Sequence, residues 1–220
     1  MFSGHYDHWI LSRMNGIQKY VKPGFFQSKT LLELGGGYAH VGNKFHELGA
    51  LVTTSDARQE HLDVVHIKYP HLNTLRIDAE HLNKMNIGIT EKYDIILHWG
   101  LLYHLQEIEK HLEQITKHCD ILLLETEVSD SSEDTFFNLV PEEGFDQAFH
   151  LFGMRPTPSY VERILDKNGF HFQIIKDPIL NSGYHHYDWE IKETKTWRYG
   201  LRRFWICWKK TMVPDFLRVP

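Results

Sequence analysis

The stretch Leu31-Leu32-Glu33-Leu34-Gly35-Gly36-Gly37 decides how the rest of this chain is read. A short apolar run ends in an acid and three glycines, and a helix-like stretch follows from Ala39 to Leu48. The next apolar run, Leu51 to Thr54, ends in Ser55-Asp56, and a third, Leu72 to Ile77, ends in Asp78-Ala79. Three strands in succession thus finish on a glycine turn or a carboxylate. In a parallel sheet all three finish on the same edge, and the carboxyl edge of an open α/β sheet is where ligands bind. Glycine permits φ > 0 and lets a ligand approach the main chain closely. A carboxylate roughly 20 residues further on accepts hydrogen bonds from a ribose diol. The pattern is built for a nucleoside.

The dinucleotide fingerprint G-x-G-x-x-G fails in both frames. From Gly35 it asks for glycine where His40 stands, and from Gly37 for glycine where Ala39 stands. What fits is acid-x-Gly-x-Gly, from Glu33 to Gly37, and with Asp56 and Asp78 it resembles the class I S-adenosylmethionine-dependent methyltransferases. The segment Tyr93-Asp94-Ile95-Ile96-Leu97-His98-Trp99-Gly100-Leu101-Leu102-Tyr103-His104-Leu105 resembles that family's fourth strand and the turn into the next helix. The resemblance covers residues 30–125 well and 157–209 more loosely. It implies S-adenosyl-L-methionine as cofactor, with Glu33, Gly35, Gly36 and Gly37 at its methionine end. Asp56 then takes the ribose, and Asp78 and Ala79 lie against the adenine. Trp99 reads either as a cover over the cofactor or as a core aromatic. Tyr38 and Ala39 depart from the smaller residues that often follow the glycines.

The chain alternates strand and helix through its first half: strand 30–34, helix 39–48, strand 51–55, helix 57–67, strands 73–77 and 93–98, helix 101–117, strand 120–125. Such alternation implies crossover connections and a parallel sheet. A helix from Thr157 to Asn168, a strand at 170–176 and a last strand at 202–209 complete the pattern. The resemblance turns this into a Rossmann-like α/β fold. Its seven-stranded, mostly parallel sheet has the order 3-2-1-4-5-7-6, strand seven antiparallel, with helices on both faces. Apolar residues at Trp9, Ile10, Met14, Ile17 and Val21 have helical spacing and make residues 1–24 an N-terminal helical cap. Residues 126–156 and 177–201 exceed the roughly 12–15 residues of ordinary connections. They are rich in aromatics, and we expect them to be insertions that build the acceptor pocket of one domain spanning 1–220.

Composition excludes several classes. At 220 residues, 42% hydrophobic and 24% charged, the chain has the profile of a globular protein. It contains no run of 18 apolar residues and no apolar leader, so we expect neither a membrane span nor a signal peptide. Cys119 and Cys207, the two cysteines, read as buried thiols, and the cytoplasm is the expected compartment. The net charge of −5 argues against a nucleic-acid partner. Arg198, Arg202, Arg203, Lys209 and Lys210 alternate with aromatics and read as a strand with charged ends. The sixteen histidines are scattered, and His61, His66, His71, His81, His111 and His118 read as helix-surface residues.

Transfer of a methyl group needs nucleophile and methyl held about 3–3.5 Å apart in a dry site. A base is required only when the acceptor must lose a proton. His98, at the end of strand four, and His104, one turn into the next helix, are the candidate catalytic residues. Glu125 at the end of strand five, Arg155, His185 and His186 are candidate acceptor-binding residues. Arg13 either reaches the cofactor carboxylate or, as the sequence favours, is solvated. The H-x-D spacings His186-Tyr187-Asp188 and His5-Tyr6-Asp7 invite a metal reading, but the facial triad belongs on other folds with a distant third ligand, and no metal is expected. The expected function is O- or N-methylation of a small or medium-sized acceptor. The alternatives are a methyltransferase-like scaffold without catalysis and, from the faint resemblance of Arg155-Pro156-Thr157-Pro158-Ser159 to tRNA wobble-uridine-modifying enzymes, a tRNA acceptor. Oligomeric state is not legible.

Overall fold

A computed structural model describes residues 4–82, 89–144, 147–183, 185–187 and 189–218. The strands are β1 (Thr30–Glu33), β2 (Leu51–Asp56), β3 (Asn73–Arg76), β4 (Tyr93–Trp99), β5 (Cys119–Ser129), β6 (Phe137–Pro141), β7 (Phe152–Pro156), β8 (Phe170–Ile174) and β9 (Trp197–Lys209). The helices are α1 (Gly4–Tyr20), α2 (His40–Glu47), α3 (Gln59–Lys68), α4 (Ile108–Ile115) and α5 (Pro158–Lys167). Seven strands form one sheet in the order β3-β2-β1-β4-β5-β9-β8, and β6 and β7 form a separate hairpin. Strands β1 to β5 run parallel, and β9 lies antiparallel between β5 and β8. This is the order 3-2-1-4-5-7-6 that the resemblance implies. Among the described residues no helix is long and apolar enough to cross a membrane.

Side chains on a strand alternate between the two faces, and each face of this sheet has its own apolar layer. Leu31, Ile95, Leu97, Ile121, Leu123, Phe204 and Ile206 pack with Ile10, Met14 and Ile17 of α1, Phe45 of α2 and Val65 of α3. Leu32, Ile96, Leu122, Leu124, Trp205 and Cys207 pack with Ile108, Leu112 and Ile115 of α4 and Val161, Ile164 and Leu165 of α5. Cys119 and Cys207 are free and buried, as expected.

The structure departs from the sequence reading where tertiary partners claim the backbone. The single helix expected over 101–117 is a 3-10 turn at Leu102–His104, an extended Leu105, and α4. The hairpin takes this segment out of the helix: Met154 N–H donates to the Leu105 carbonyl and Arg155 Nη1 to the Tyr103 carbonyl. Helix α4 is then capped from a distance, since the Glu80 carboxylate accepts from the N–H groups of Gln106 and Glu107 at 2.7 and 2.8 Å. A carboxylate there satisfies amides that a helix start leaves unpaired. Strand β5 runs four residues beyond its expected end and β9 begins five residues early, because the two pair with each other along Ile121–Ser129.

Candidate functional site

The glycine turn is held from below by an acid that never leaves the interior. Glu33 Oε1 accepts from Gly42 N–H at 2.9 Å and Oε2 from Thr54 Oγ1 at 2.7 Å. A Cβ on Gly36 would stand 2.3 Å from Thr54 Oγ1 and 2.6 Å from Glu33 Oε2. Only glycine fits there. Gly35 and Gly37 have φ of +63° and +54°, and Ala39 follows in the same left-handed region at +55° before α2 begins. Burial dominates the Glu33 carboxyl and pushes its pKa up to about 7, against the opposing hydrogen bonds from Thr54 and Gly42.

Asp56 closes the turn from the side. Its Oδ2 accepts from Gly37 N–H at 3.0 Å and its Oδ1 from Arg58 N–H at 2.9 Å, while Ser55 O accepts from Gly36 N–H. Asp78, beyond β3, bonds through Oδ2 to His81 Nδ1 at 3.0 Å and His150 Nε2 at 2.9 Å. Burial alone would raise its carboxyl; the two histidines outweigh that and hold it below the usual carboxylate range.

These residues line one cavity, with about 1300 Å³ of empty space counted out to the solvent. Helix α1 covers it with Tyr6, Trp9, Ile10 and Arg13; the insertion after β5 adds Gln147, Phe149 and His150; the turn after β4 adds Tyr103 and His104. Glu33, the three glycines, Asp56, Asp78, Ala79, Trp99 and His104 are all in the lining.

No family model matches this chain, and no curated protein matches it. Solved structures do. The N-terminal domain of EvdMO1, in the presence of SAH and D-fucose, superposes with a TM-score of 0.67 at 16% identity, over 94% of this chain and 84% of that one. The DhpI-SAM-HEP complex gives 0.61 at 12% identity, over 94% and 88%. The 1,6-didemethyltoxoflavin-N1-methyltransferase of Burkholderia thailandensis, with 1,6-didemethyltoxoflavin and S-adenosylhomocysteine bound, gives 0.54 at 16% identity, over 94% and 78%.

The chain has the class I S-adenosylmethionine-dependent methyltransferase fold.

On this methyltransferase fold, strand parity corrects one expectation. His98 follows Ile96 onto the α4 face, while Trp99 follows Leu97 onto the α1 face. His98 is fully buried, bonds His111 Nε2 at 2.7 Å, and is absent from the cavity lining. Period-two counting from Ile96 would have placed it there. His111 and His61, read as surface histidines, are both buried.

His104 does face the cavity, on the 3-10 turn rather than a helix. Its Nδ1 contacts Glu142 Oε2, and Glu142 also takes Ala148 N–H at 2.8 Å and pairs with Arg155 Nη1. Burial would raise the Glu142 carboxyl; the hydrogen bond and charge of His104, then Arg155, hold it below its ordinary value. Among the described residues, Nε2 of His104 has no protein partner.

The four expected acceptor-binding residues stand behind the cavity wall, outside the lining. Glu125 is fully buried, accepts from Arg202 Nη1 at 2.7 Å and faces Arg13 Nη1 at 3.6 Å. Arg155 is buried between Glu127 and Glu142. His185 stacks on Trp9, ring centroids 3.9 Å apart and 4° from parallel, and His186 is exposed. None of the described residues of 177–201 reaches the cavity; Asp177, His185 and Tyr187 support α1 from outside, with Tyr187 Oη accepting from Trp9 Nε1 at 2.8 Å. Asp188 lies outside the described residues.

Sequence reading also missed how these charges join. Glu127 lies opposite Arg202 in the β5–β9 register, and both point to the α1 face with Glu125. Arg202 and Arg155 share Glu127, so three glutamates and the guanidinium groups of Arg13, Arg155 and Arg202 form one buried network. Arg13 is 3% exposed, which overturns its reading as a solvated residue. Its guanidinium lies 3.7 Å from the Trp9 ring centroid, and its Nε has no partner among the described residues.

Proposed function

We propose that this chain is an S-adenosylmethionine-dependent methyltransferase, working as one unit over 1–220. Its acceptor is a small or medium-sized molecule that loses a proton from oxygen or nitrogen as it is methylated. The observation that carries this reading is a single cavity shared by the glycine turn, Asp56, Asp78 and the imidazole of His104.

The residues present fit the cofactor. The turn is bare of side chains where a ligand would touch the main chain, and Arg13, whose buried Nε has no partner among the described residues, lines the cavity. Asp56 would hold the ribose, Asp78 and Ala79 the adenine, and the glycine turn with Arg13 the methionine end. Glu33 would act through the turn that it braces. When bound, the cofactor supplies an electrophilic methyl on a sulfonium. His104 receives the acceptor's proton: Glu142 takes the Nδ1 hydrogen, which leaves the Nε2 lone pair toward the cavity. Glu142 is a positioning residue, and Trp9, Trp99 and Phe149 exclude water.

A scaffold role is the second reading, favoured by the exposed Phe137, Leu139, Leu151 and Phe152 on the hairpin and its approach. A tRNA acceptor loses its support, since Arg155 is buried in ion pairs.

Calorimetric titration with S-adenosylmethionine and with its demethylated product tests the proposal. Micromolar binding of both is expected, with Asp56→Ala weakening each by roughly 100-fold, the effect of losing charged hydrogen bonds worth about 1.5–3 kcal/mol. Absence of binding to the wild type would demote the enzyme reading and favour the scaffold. Unchanged affinity in Asp56→Ala would remove the ribose assignment.

A further inference from the structure

Asp78 and His81 from one turn and His150 from a distant segment converge at the rim of the cavity. His81 follows Asp78 by three residues on the 3-10 turn Ala79–His81, while His150 arrives in the insertion that precedes β7. Both rings aim a nitrogen at the same oxygen, Asp78 Oδ2, at 3.0 and 2.9 Å, and the three donor atoms lie within 4.8 Å of one another. The other oxygen, Oδ1, accepts from Glu80 N–H at 3.1 Å, which fixes the carboxylate plane. Anchoring of this kind is what a ligating carboxylate receives from its surroundings.

We propose that this triad is a binding site for a divalent transition cation of the zinc or cobalt class. Two imidazole nitrogens and one carboxylate oxygen are the donor set such ions take, whereas magnesium and calcium prefer oxygen alone. Three protein ligands leave a position for water. The side chains of His81 and His150 are each 31% exposed and that of Asp78 16%, so water and the ion can reach the site. An ion there joins three ligand atoms by bonds instead of two shared protons, and no redox change is involved. The site pins His150, and with it the Gln147–His150 roof, to the sheet edge beyond β3. His81 and His150 also line a second cavity beside the first, so the ion would stand in the wall between the two. Sequence reading expected no metal because the H-x-D spacings it weighed belong to triads of other folds, with a distant third ligand. The separation of 72 positions between Asp78 and His150 hides this set from any local motif. The site does not depend on the methyltransferase reading.

The test uses the full chain without a histidine tag, stripped with a chelator, and titrated with Co²⁺ in the absence of cofactor. Binding of one equivalent is expected, with visible absorption bands that Zn²⁺ abolishes by displacement. His81→Ala and His150→Ala should each weaken Co²⁺ binding by at least about 100-fold, since each removes a ligand outright. Both side chains are partly exposed, so circular dichroism of the metal-free variants should match the wild type; His81→Gln and His150→Gln serve if either alanine variant does not fold. Wild-type protein without saturable Co²⁺ binding would overturn the site. So would a folded His81 or His150 variant that keeps wild-type affinity and stoichiometry, because other histidines would then hold the ion.

Discussion

His98 and His111 meet Nε2 to Nε2, 2.7 Å apart, between β4 and α4. His111 Nδ1 faces the Ala79 carbonyl oxygen at 2.9 Å and must donate to it, so its Nε2 accepts from His98 Nε2–H. Both rings are neutral in this arrangement, and a second proton would put two cations face to face.

That pair makes the fold acid-sensitive. Burial lowers the pKa of His111 to about 4, against the Ala79 hydrogen bond, and His98 is pushed well below its ordinary value by burial and then by His111. A depressed histidine binds fewer protons folded than unfolded, so its contribution is present above about pH 6.5 and lost as pH falls toward 4. For His111 the full loss is roughly 3 kcal/mol. Urea melts at pH 7 and pH 5 should show it, and His98→Leu/His111→Leu should flatten the slope. An equal slope in the double variant would reject the assignment.

Glu33 acts in the opposite sense. With its folded pKa raised to about 7, it favours the fold below its ordinary pKa, and that contribution is lost as pH rises through 7. The neutral Glu33→Gln variant should therefore gain on the wild type between pH 5 and pH 8, by up to about 3 kcal/mol. Chemical denaturation of both proteins at the two pH values checks this; a constant difference would show that Glu33 is ionised throughout.

Gly36 tolerates no side chain. Gly36→Ala places a methyl 2.3 Å from Thr54 Oγ1, and we expect a loss of about 1–3 kcal/mol from overpacking. Cofactor binding should weaken with it, because the main chain of the turn must shift. A thermal midpoint equal to that of the wild type would contradict the close approach.

Arg202 holds two glutamates in the sheet. Arg202→Met leaves Glu125 and Glu127 short of a cation in a dry site, and breaking a buried pair from one side costs about 3–5 kcal/mol. Arg202→Met/Glu125→Gln should recover part of that loss. Unfolding curves of the single and double variants decide it, and a neutral Arg202→Met would mean that water already screens the network.

His104 and Glu142 should behave as a pair once an acceptor is found. His104→Gln should lower kcat by about 10²–10⁴-fold, the range of general-base catalysis, with calorimetric affinity for the cofactor unchanged. Glu142→Gln should shift the pH profile of kcat, since it removes the acceptor of the Nδ1 hydrogen, and it should cost less than the loss of His104. Equal kcat in His104→Gln would leave the acceptor without a base.

The strand order came with the family resemblance; by itself the sequence determined the strand–helix alternation, the glycine turn and the acids that close β2 and follow β3. Those features are local: a period of two or 3.6 residues, a run of glycines, and a carboxylate at a strand end carry their meaning within a few residues. It also placed His104 beside the cavity, because the turn after β4 is short. Tertiary structure decided the rest. His98 lies on the far face because the pleat alternates, a signal present in the sequence once Ile96 is taken as core. Glu127, Arg202 and Arg13 come together only through the β5–β9 register and the packing of α1 across the sheet edge, and Glu142 joins them through Arg155 of the β6–β7 hairpin. Glu80 caps a helix 26 residues away, and His150 reaches Asp78 across 72. Such pairings are fixed by the burial of whole elements, which sets distances between charges that no local spacing records.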